Sequence, residues 1–413
     1  MFRLMRNKET KVKEKSVNRW GVVCGGFIII MCLGVAYSWG VFIAPISKEF
    51  GWGRGEIALA ASVLLLVFSI FMVVGGALEK KYGPRITATI GGLFICAGWI
   101  LGYFTHSLIW LYLSYGVLCG IGTGLGYLPS ISTGIKWFPD KRGMITGIVV
   151  FGFGFGSAFL APLATRFIEV YGWRMTMLIY GCSLGTLIVG AAQFLKSPPD
   201  NWVPEGWTEV KQKVVEKINF SYKEMLKTSS FAVMFFTYTL SMIAGMMSIV
   251  HLVPFVEDKG FSPIQAAFAL TILSIGNGVG RIISGILSDK IGRKETLILI
   301  FNLIGITMLV LYYLNPLILI YLAAGSIGFC CGGFLAVYPP ATADFFGPKF
   351  FGLNYGLLFI GYGVGCFIGP WFGGAVYDMT GSYSMAFNVA GVLALLGAIT
   401  VFFLLKPPVE EAK

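Results

Sequence analysis

Histidine occurs only twice in this chain, at His106 and His251, and no cluster of carboxylates accompanies either. A metal centre, which needs several such ligands at close spacing, has no material to draw on. The eight cysteines form no C-x-x-C pair and sit mostly inside apolar runs, and Cys330 and Cys331 are adjacent, a poor geometry for a strain-free bridge. They read as small buried hydrophobes. Charge is scarce too: Asp, Glu, Lys and Arg make up 12% of the residues against 56% hydrophobic, with a mean hydropathy of +0.78. That balance excludes an ordinary water-soluble domain. Neither a P-loop nor a nucleophile–base pair is present, which argues against an enzyme and against ATP-driven pumping.

What the chain does have is long apolar runs. A helix needs about 20 apolar residues to cross the hydrocarbon, and twelve runs meet that need, at 20–46, 57–79, 86–105, 108–135, 143–166, 173–195, 231–256, 263–288, 295–314, 317–342, 352–377 and 384–405. They are numbered here as spans 1 to 12. Their continuity implies helices instead of the alternating strands of a barrel. The first run is too long for a signal-peptide core and lacks a small-residue cleavage site, so it is expected to stay as a span.

The net charge of +11 could be taken for a nucleic-acid footprint, but its distribution points elsewhere. Of 31 Lys and Arg, 25 fall in the two tails and in alternate loops, five in or at the edges of the opposite loops, and one, Arg281, deep inside a span. This is the positive-inside bias, and it predicts cytoplasmic termini in a cell (inner) membrane, with no nucleic-acid partner. The Pro-, Lys- and Glu-rich stretch 196–230 reads as a cytoplasmic linker between two six-helix bundles, 20–195 and 231–405, flanked by tails 1–19 and 406–413. Its later part is expected to form an amphipathic surface helix through Val214, Val215 and Ile218.

The two halves align at a constant offset of 209: Glu49 meets Asp258, Gly51 meets Gly260, Gly76 meets Gly285, Leu78 meets Leu287, and Gly83 meets Gly292. Such a repeat is the mark of a transporter built by duplication. At Arg281 the register breaks, for its counterpart is Met72. On a helical wheel Arg281 shares a stripe with Ser274, Asn277, Ser284, Gly285 and Ser288, between flanks of Ile and Val. A charge at membrane depth costs about 2.5–3.5 kcal/mol on insertion scales, so an aqueous cavity is its expected neighbour. The competing reading is a side chain whose stem snorkels to the nearby polar face.

The loop GILSDKIGRK after span 8 resembles the G-x-L-x-D-[RK]-x-G-R-[RK] signature of the major facilitator superfamily, with a degraded copy, GALEKKYGPR, after span 2. The segment KWFPDKRGMITGIVVFGFGFGSAF, 136–159, is similar to the span-5 signature of monocarboxylate transporters and of bacterial oxalate:formate antiporters. The resemblance implies an all-α membrane fold of twelve helices in two pseudo-symmetric bundles, and a cytoplasmic latch here comprising Asp289, Arg293 and Arg142. Asp289 is placed to bond the N-terminal amides of the next helix and nearby arginines. It further implies that Arg281, at the family's span-8 arginine position, binds a substrate carboxylate, a role its planar fork suits. The chain departs from oxalate antiporters in lacking a second cation in span 11, where Leu357, Phe359, Gly361 and Tyr362 stand. It departs from eukaryotic carriers in having Asn277 for an acid and Val41 for a lysine. One cation matches one carboxylate and would leave a dianion partly uncompensated.

The expected function is therefore secondary active transport of a small monocarboxylate of the lactate, pyruvate, acetate or formate class, with proton symport. An anion exchanger of the oxalate:formate type is the alternative. Besides Arg281, the candidate site residues are Asn277, Tyr37, Tyr127, Tyr338, Phe359 and Tyr362. Pro129, Pro339 and Pro340, expected to break spans 4 and 10, draw notice to Tyr127 and Tyr338. Either His251, on the face of span 7 shared by Ser241 and Ser248, or Asp258 is expected to carry the proton. A lone helix histidine is more often a packing residue, and the repeat mate Glu49 favours a structural loop role for Asp258. The partners implied are the acid, protons and the lipid bilayer, with no cofactor, and the chain is expected to function as a monomer.

Overall fold

The computed structural model describes residues 19–199 and 219–406. The expected surface helix at Val214, Val215 and Ile218, and the tails 1–18 and 407–413, lie outside the described residues. No β-strand occurs among the described residues, and ten helices are long and apolar enough to cross a membrane.

Two of the ten are too long for one crossing, Arg54–Tyr103 with 50 residues and Arg142–Ala192 with 51. Each would extend about 75 Å, more than twice the thickness of the hydrocarbon. Each is broken at one glycine with positive φ, Gly83 at 82° and Gly172 at 79°, a conformation that favours glycine alone. The chain doubles back there: the Tyr180 hydroxyl donates to the Leu160 carbonyl at 2.6 Å, and Val67 and Ile95 flank Gly120 and Gly122 of one neighbouring helix. Twelve crossings result, as the hydropathy pattern predicts.

Span 1 consists of α-helix Arg19–Leu33, a 3₁₀ stretch Gly34–Ser38 and α-helix Gly40–Phe50. Spans 2 and 3 occupy Arg54–Tyr103. Span 4 comprises Leu108–Leu111, a π-helical turn Tyr112–Leu118 and Cys119–Trp137. Spans 5 and 6 occupy Arg142–Ala192. Then follow a short helix, Tyr222–Met225, and spans 7 (Ser229–Asp258), 8 (Pro263–Ile291), 9 (Arg293–Leu311), 10 (Leu317–Phe346), 11 (Phe351–Thr380) and 12 (Ser384–Leu404). The prolines of spans 4 and 10 do not break their helices, contrary to the sequence expectation. Both helices run on through them, the Thr133 hydroxyl donating to the Pro129 carbonyl at 2.6 Å and that of Thr342 to the Tyr338 carbonyl at 2.8 Å. The real interruptions are the 3₁₀ stretch of span 1 and the π turn of span 4, devices found at hinges and functional sites.

Both ends of the described chain lie at one face, where Arg19 stacks over Phe138 and Ser230 bonds the Lys406 carbonyl. The halves meet tightly toward this face through four glycines. A methyl group on Gly143 would fall 2.3 Å from the carbonyl oxygen of Gly285, and one on Gly76 would fall 2.4 Å from that of Gly352. One turn deeper, Gly147 abuts the Arg281 backbone and Gly356 the Met72 backbone. Every member of one set maps onto the other by the same offset of 209, so the repeat extends into spans 5 and 11. Toward the opposite face the halves part.

Candidate functional site

Arg281 projects from the middle of span 8 and is only 1% exposed, so it does not snorkel. One Nη donates to the Val150 carbonyl of span 5, across the boundary between halves, and Nε has no partner among the described residues. No described carboxylate forms an ion pair with it. The guanidinium is thus a permanent buried charge facing a hollow of about 10 Å³, room for one water.

The walls of that hollow are aromatic. Tyr37, Tyr127, Phe359 and Tyr362 line it, as the sequence proposes, together with Phe68, Phe153 and Leu335, which sequence reasoning missed. Phe68 meets Tyr127 edge-on at 5.2 Å and Phe359 at 5.1 Å, so the rings brace one another. Nothing marked Phe68 and Phe153 beforehand in a chain that is 15% aromatic; only spatial convergence identifies them. Tyr338 lies elsewhere. It stacks on Tyr238 at 4.0 Å and donates its hydroxyl to Thr237 at 2.8 Å, a packing role inside the second half.

Outward from the hollow, the Tyr37 and Tyr362 hydroxyls approach to 3.5 Å across the boundary. Tyr37 is carried by the 3₁₀ stretch and is 40% exposed, because its other side borders a vestibule of about 390 Å³. Asn277 lines this vestibule one turn from Arg281, and spans 1, 2, 5, 7 and 8 all contribute to it. It opens away from the termini, while the termini face is shut.

The shutter is the predicted latch, with one change of partner. Asp289 accepts from the Gly143 amide at 2.9 Å and the Met144 amide at 2.8 Å, so it caps span 5 of the other half, not the helix that follows it in sequence. The connection at Gly292 turns span 9 away, and the free amides within reach are those of the opposing bundle. Arg293 bonds Asp289 at 2.6 Å and Asp344 at 2.7 Å, and Arg142 pairs with Asp344 across the boundary. Asp344, a lone acid near the end of span 10, went unnoticed in the sequence. In the degraded copy, Lys80 stands over the Phe350 ring, and Glu79 turns into its own half, accepting from Ser132 at 2.6 Å and Lys136 at 2.7 Å. The second crossing therefore has no carboxylate cap from the position equivalent to Asp289.

The two proton candidates lie in the second half, off the boundary. His251 donates from Nε2 to the Pro370 carbonyl at 2.9 Å, and its Nδ1 meets the Tyr383 hydroxyl at 3.3 Å. Ser241 and Ser248 bond back to their own helix and do not join it. Asp258 and Tyr383 both line a polar depression of about 470 Å³. Its repeat mate Glu49 behaves differently: partial burial works against ionisation, but bonds from Arg174 and Trp173 outweigh it and hold the carboxyl below its usual range.

The sequence model of the Major Facilitator Superfamily matches residues 24–326 and 234–413. An uncharacterized MFS-type transporter of Escherichia coli K12, YhjX, is 30% identical over 84% of this chain and 85% of its own length. The oxalate:formate antiporter of Oxalobacter formigenes is 27% identical over 94% of this chain and 92% of its own. Monocarboxylate transporter 13 of Rattus norvegicus is 28% identical over 92% and 87% respectively. Among solved structures, the fucose:proton symporter of E. coli matches with a TM-score of 0.67 at 13% identity, over 92% of this chain and 98% of that one, which bears on the fold alone. With the twelve crossings, the internal repeat and the latch, these likenesses place the chain in the major facilitator superfamily of membrane transporters, within the family of monocarboxylate transporters and oxalate:formate antiporters.

Proposed function

We propose that the protein carries monocarboxylates across a cell (inner) membrane, termini in the cytoplasm, by proton-coupled alternating access. The observation that supports this most is Arg281: a fully buried guanidinium with no acid partner among the described residues, beside a hollow that shares Tyr37 with an open vestibule. Lactate, pyruvate, acetate and formate are the simplest acids it would hold, in a bidentate manner. Asn277 is one turn away, with an amide able to bond a second oxygen.

In the empty carrier the uncompensated charge opposes sealing the site in low dielectric, and the Val150 carbonyl answers it only in part. A bound carboxylate neutralises it. The aromatic box then closes from the far side, the Asp289–Arg142–Asp344 cluster releases, and the bundles 20–195 and 231–405 rock about the boundary, with the linker 196–230 between them. Protons would enter from the Asp258 depression through the Tyr383 hydroxyl to His251. A hydroxyl either donates or accepts, so His251 gains a proton without losing either bond. The exchanger alternative draws on the likeness to the oxalate:formate antiporter, but among the described residues Arg281 is the one charged residue lining the hollow, and the vestibule lining has none.

Uptake of radiolabelled acids into proteoliposomes, with and without an imposed pH gradient, tests the proposal. Arg281→Ala is expected to abolish uptake at least a hundredfold while the purified protein stays folded, and Arg281→Lys, which keeps the charge but not the fork, to lose about tenfold or more. Carboxylate transport surviving in Arg281→Ala would refute the assignment. Counterflow at wild-type rate, with no response to the pH gradient, would favour exchange.

A further inference from the structure

The cavities carry information about the shape of the cargo. Beside Arg281 the hollow holds about 10 Å³ within its aromatic box, so nothing longer than a headgroup enters there, and that only as the rings part. A second small cavity of about 10 Å³ joins Asn277, Tyr37 and Tyr362, and leads outward to the vestibule of about 390 Å³. Tyr37 borders all three, so they form one line from the guanidinium toward the far face.

Wall chemistry changes along that line. Next to the guanidinium are the hydroxyls of Tyr37 and Tyr362 and the amide of Asn277. Farther out, Ile43, Leu64 and Leu65 of the first half face Met246, Ile249 and Leu273 of the second, and no charged side chain lines the vestibule among the described residues. Polar groups there are confined to a strip of Ser274 and Asn277 on span 8, Ser157 opposite, and the edges of Tyr37 and Trp39. The vestibule is the way in for any acid, but its apolar walls gain contact only from a cargo that carries an apolar chain, and formate or oxalate would leave them to water.

We infer that the preferred cargo is an amphipathic monocarboxylate, an aliphatic acid of about four to eight carbons whose headgroup meets Arg281 and whose chain lies in the vestibule. This rests on the carboxylate reading and narrows it. Each methylene that replaces water against these walls raises affinity up to about fourfold. Ile249 and Met246, which line both the vestibule and the intermediate cavity, act as specificity-determining residues for chain length.

The test is calorimetric titration of the purified protein in lipid nanodiscs with formate, acetate, butyrate, hexanoate and the methyl ester of hexanoate, with empty nanodiscs subtracted. Affinity is expected to rise about two- to fourfold per methylene from acetate to hexanoate, the ester to bind at least a hundredfold more weakly than the acid, and Ile249→Ser to flatten the rise. Acids that all bind with equal affinity, or best as formate, would overturn the inference and leave the carboxylate reading in place. An unchanged slope in Ile249→Ser would likewise overturn it, by removing the chain from the vestibule. An ester binding as well as the acid, or no acid binding at all, would defeat the carboxylate reading and the inference together.

Discussion

Replacing Asp289 by Asn removes one charge from the shutter while keeping its size. In the wild-type protein this carboxylate takes amide bonds of 2.9 and 2.8 Å from the first turn of span 5 and one of 2.6 Å from Arg293. Asparagine keeps one acceptor oxygen, turns an NH₂ group toward a second donor, and loses the attraction of the helix N-terminus. A hydrogen bond to an ionised group contributes about 1.5–3 kcal/mol, and the charge at the helix end up to about 1 kcal/mol more near a surface. Allowing for the 17% exposure of the side chain and for the oxygen that remains, the closed termini face loses about 2–3 kcal/mol. Because the bonds to span 5 exist only while the halves are together there, that loss appears in the conformational balance and shifts it by about 30- to 150-fold toward opening. Hydrogen exchange read by mass spectrometry in nanodiscs is the direct assay: the segment 141–150 should exchange markedly faster in Asp289→Asn, while segments of the far-side vestibule slow. Exchange identical to wild type at 141–150, in a variant shown to be folded, would refute the claim that this carboxylate fastens the two halves.

His251→Gln is expected to abolish the response of carboxylate uptake to a pH gradient while counterflow continues, and gradient-driven accumulation at the wild-type level would exclude His251 as the carrier. At Gly280 a methyl would fall 2.0 Å from the Phe329 carbonyl oxygen of span 10, so Gly280→Ala is expected to destabilise by at least about 1–3 kcal/mol. Gly190 has nothing within 4 Å, and Gly190→Ala should stabilise by about 0.5–1 kcal/mol; thermal denaturation in one detergent compares the two. The depressed carboxyl of Glu49 stabilises the folded state fully above the ordinary carboxylate range, and that contribution is lost as pH falls through its lowered folded value. The acid-side fall in melting temperature should therefore be shallower in Glu49→Gln, and an identical profile would show that the bonds from Arg174 and Trp173 are energetically idle.

Hydropathy carried most of the fold, because each crossing must satisfy its own backbone and so leaves a long apolar run in the chain. The latch was legible because its residues are contiguous, and Arg281 because a charge in such a run is conspicuous. Partner choice was not legible. Asp289 reaches span 5 and Asp344 reaches Arg142 across more than a hundred residues of sequence, and only packing brings them together. The same holds for Phe68 and Phe153, which converge on the hollow from different spans. Tyr338 was misplaced by its neighbours: Pro339 and Pro340 suggested an opened helix, whereas the helix stayed whole and turned the ring onto Tyr238.

The turns at Gly83 and Gly172 have a mechanical meaning. With one residue connecting spans 2 and 3, and one connecting spans 5 and 6, the chain has no slack to let either partner slide or rotate alone. Each pair is joined by a link only one glycine long, so a push delivered where span 5 touches Arg281 reaches span 6 within a single residue of backbone.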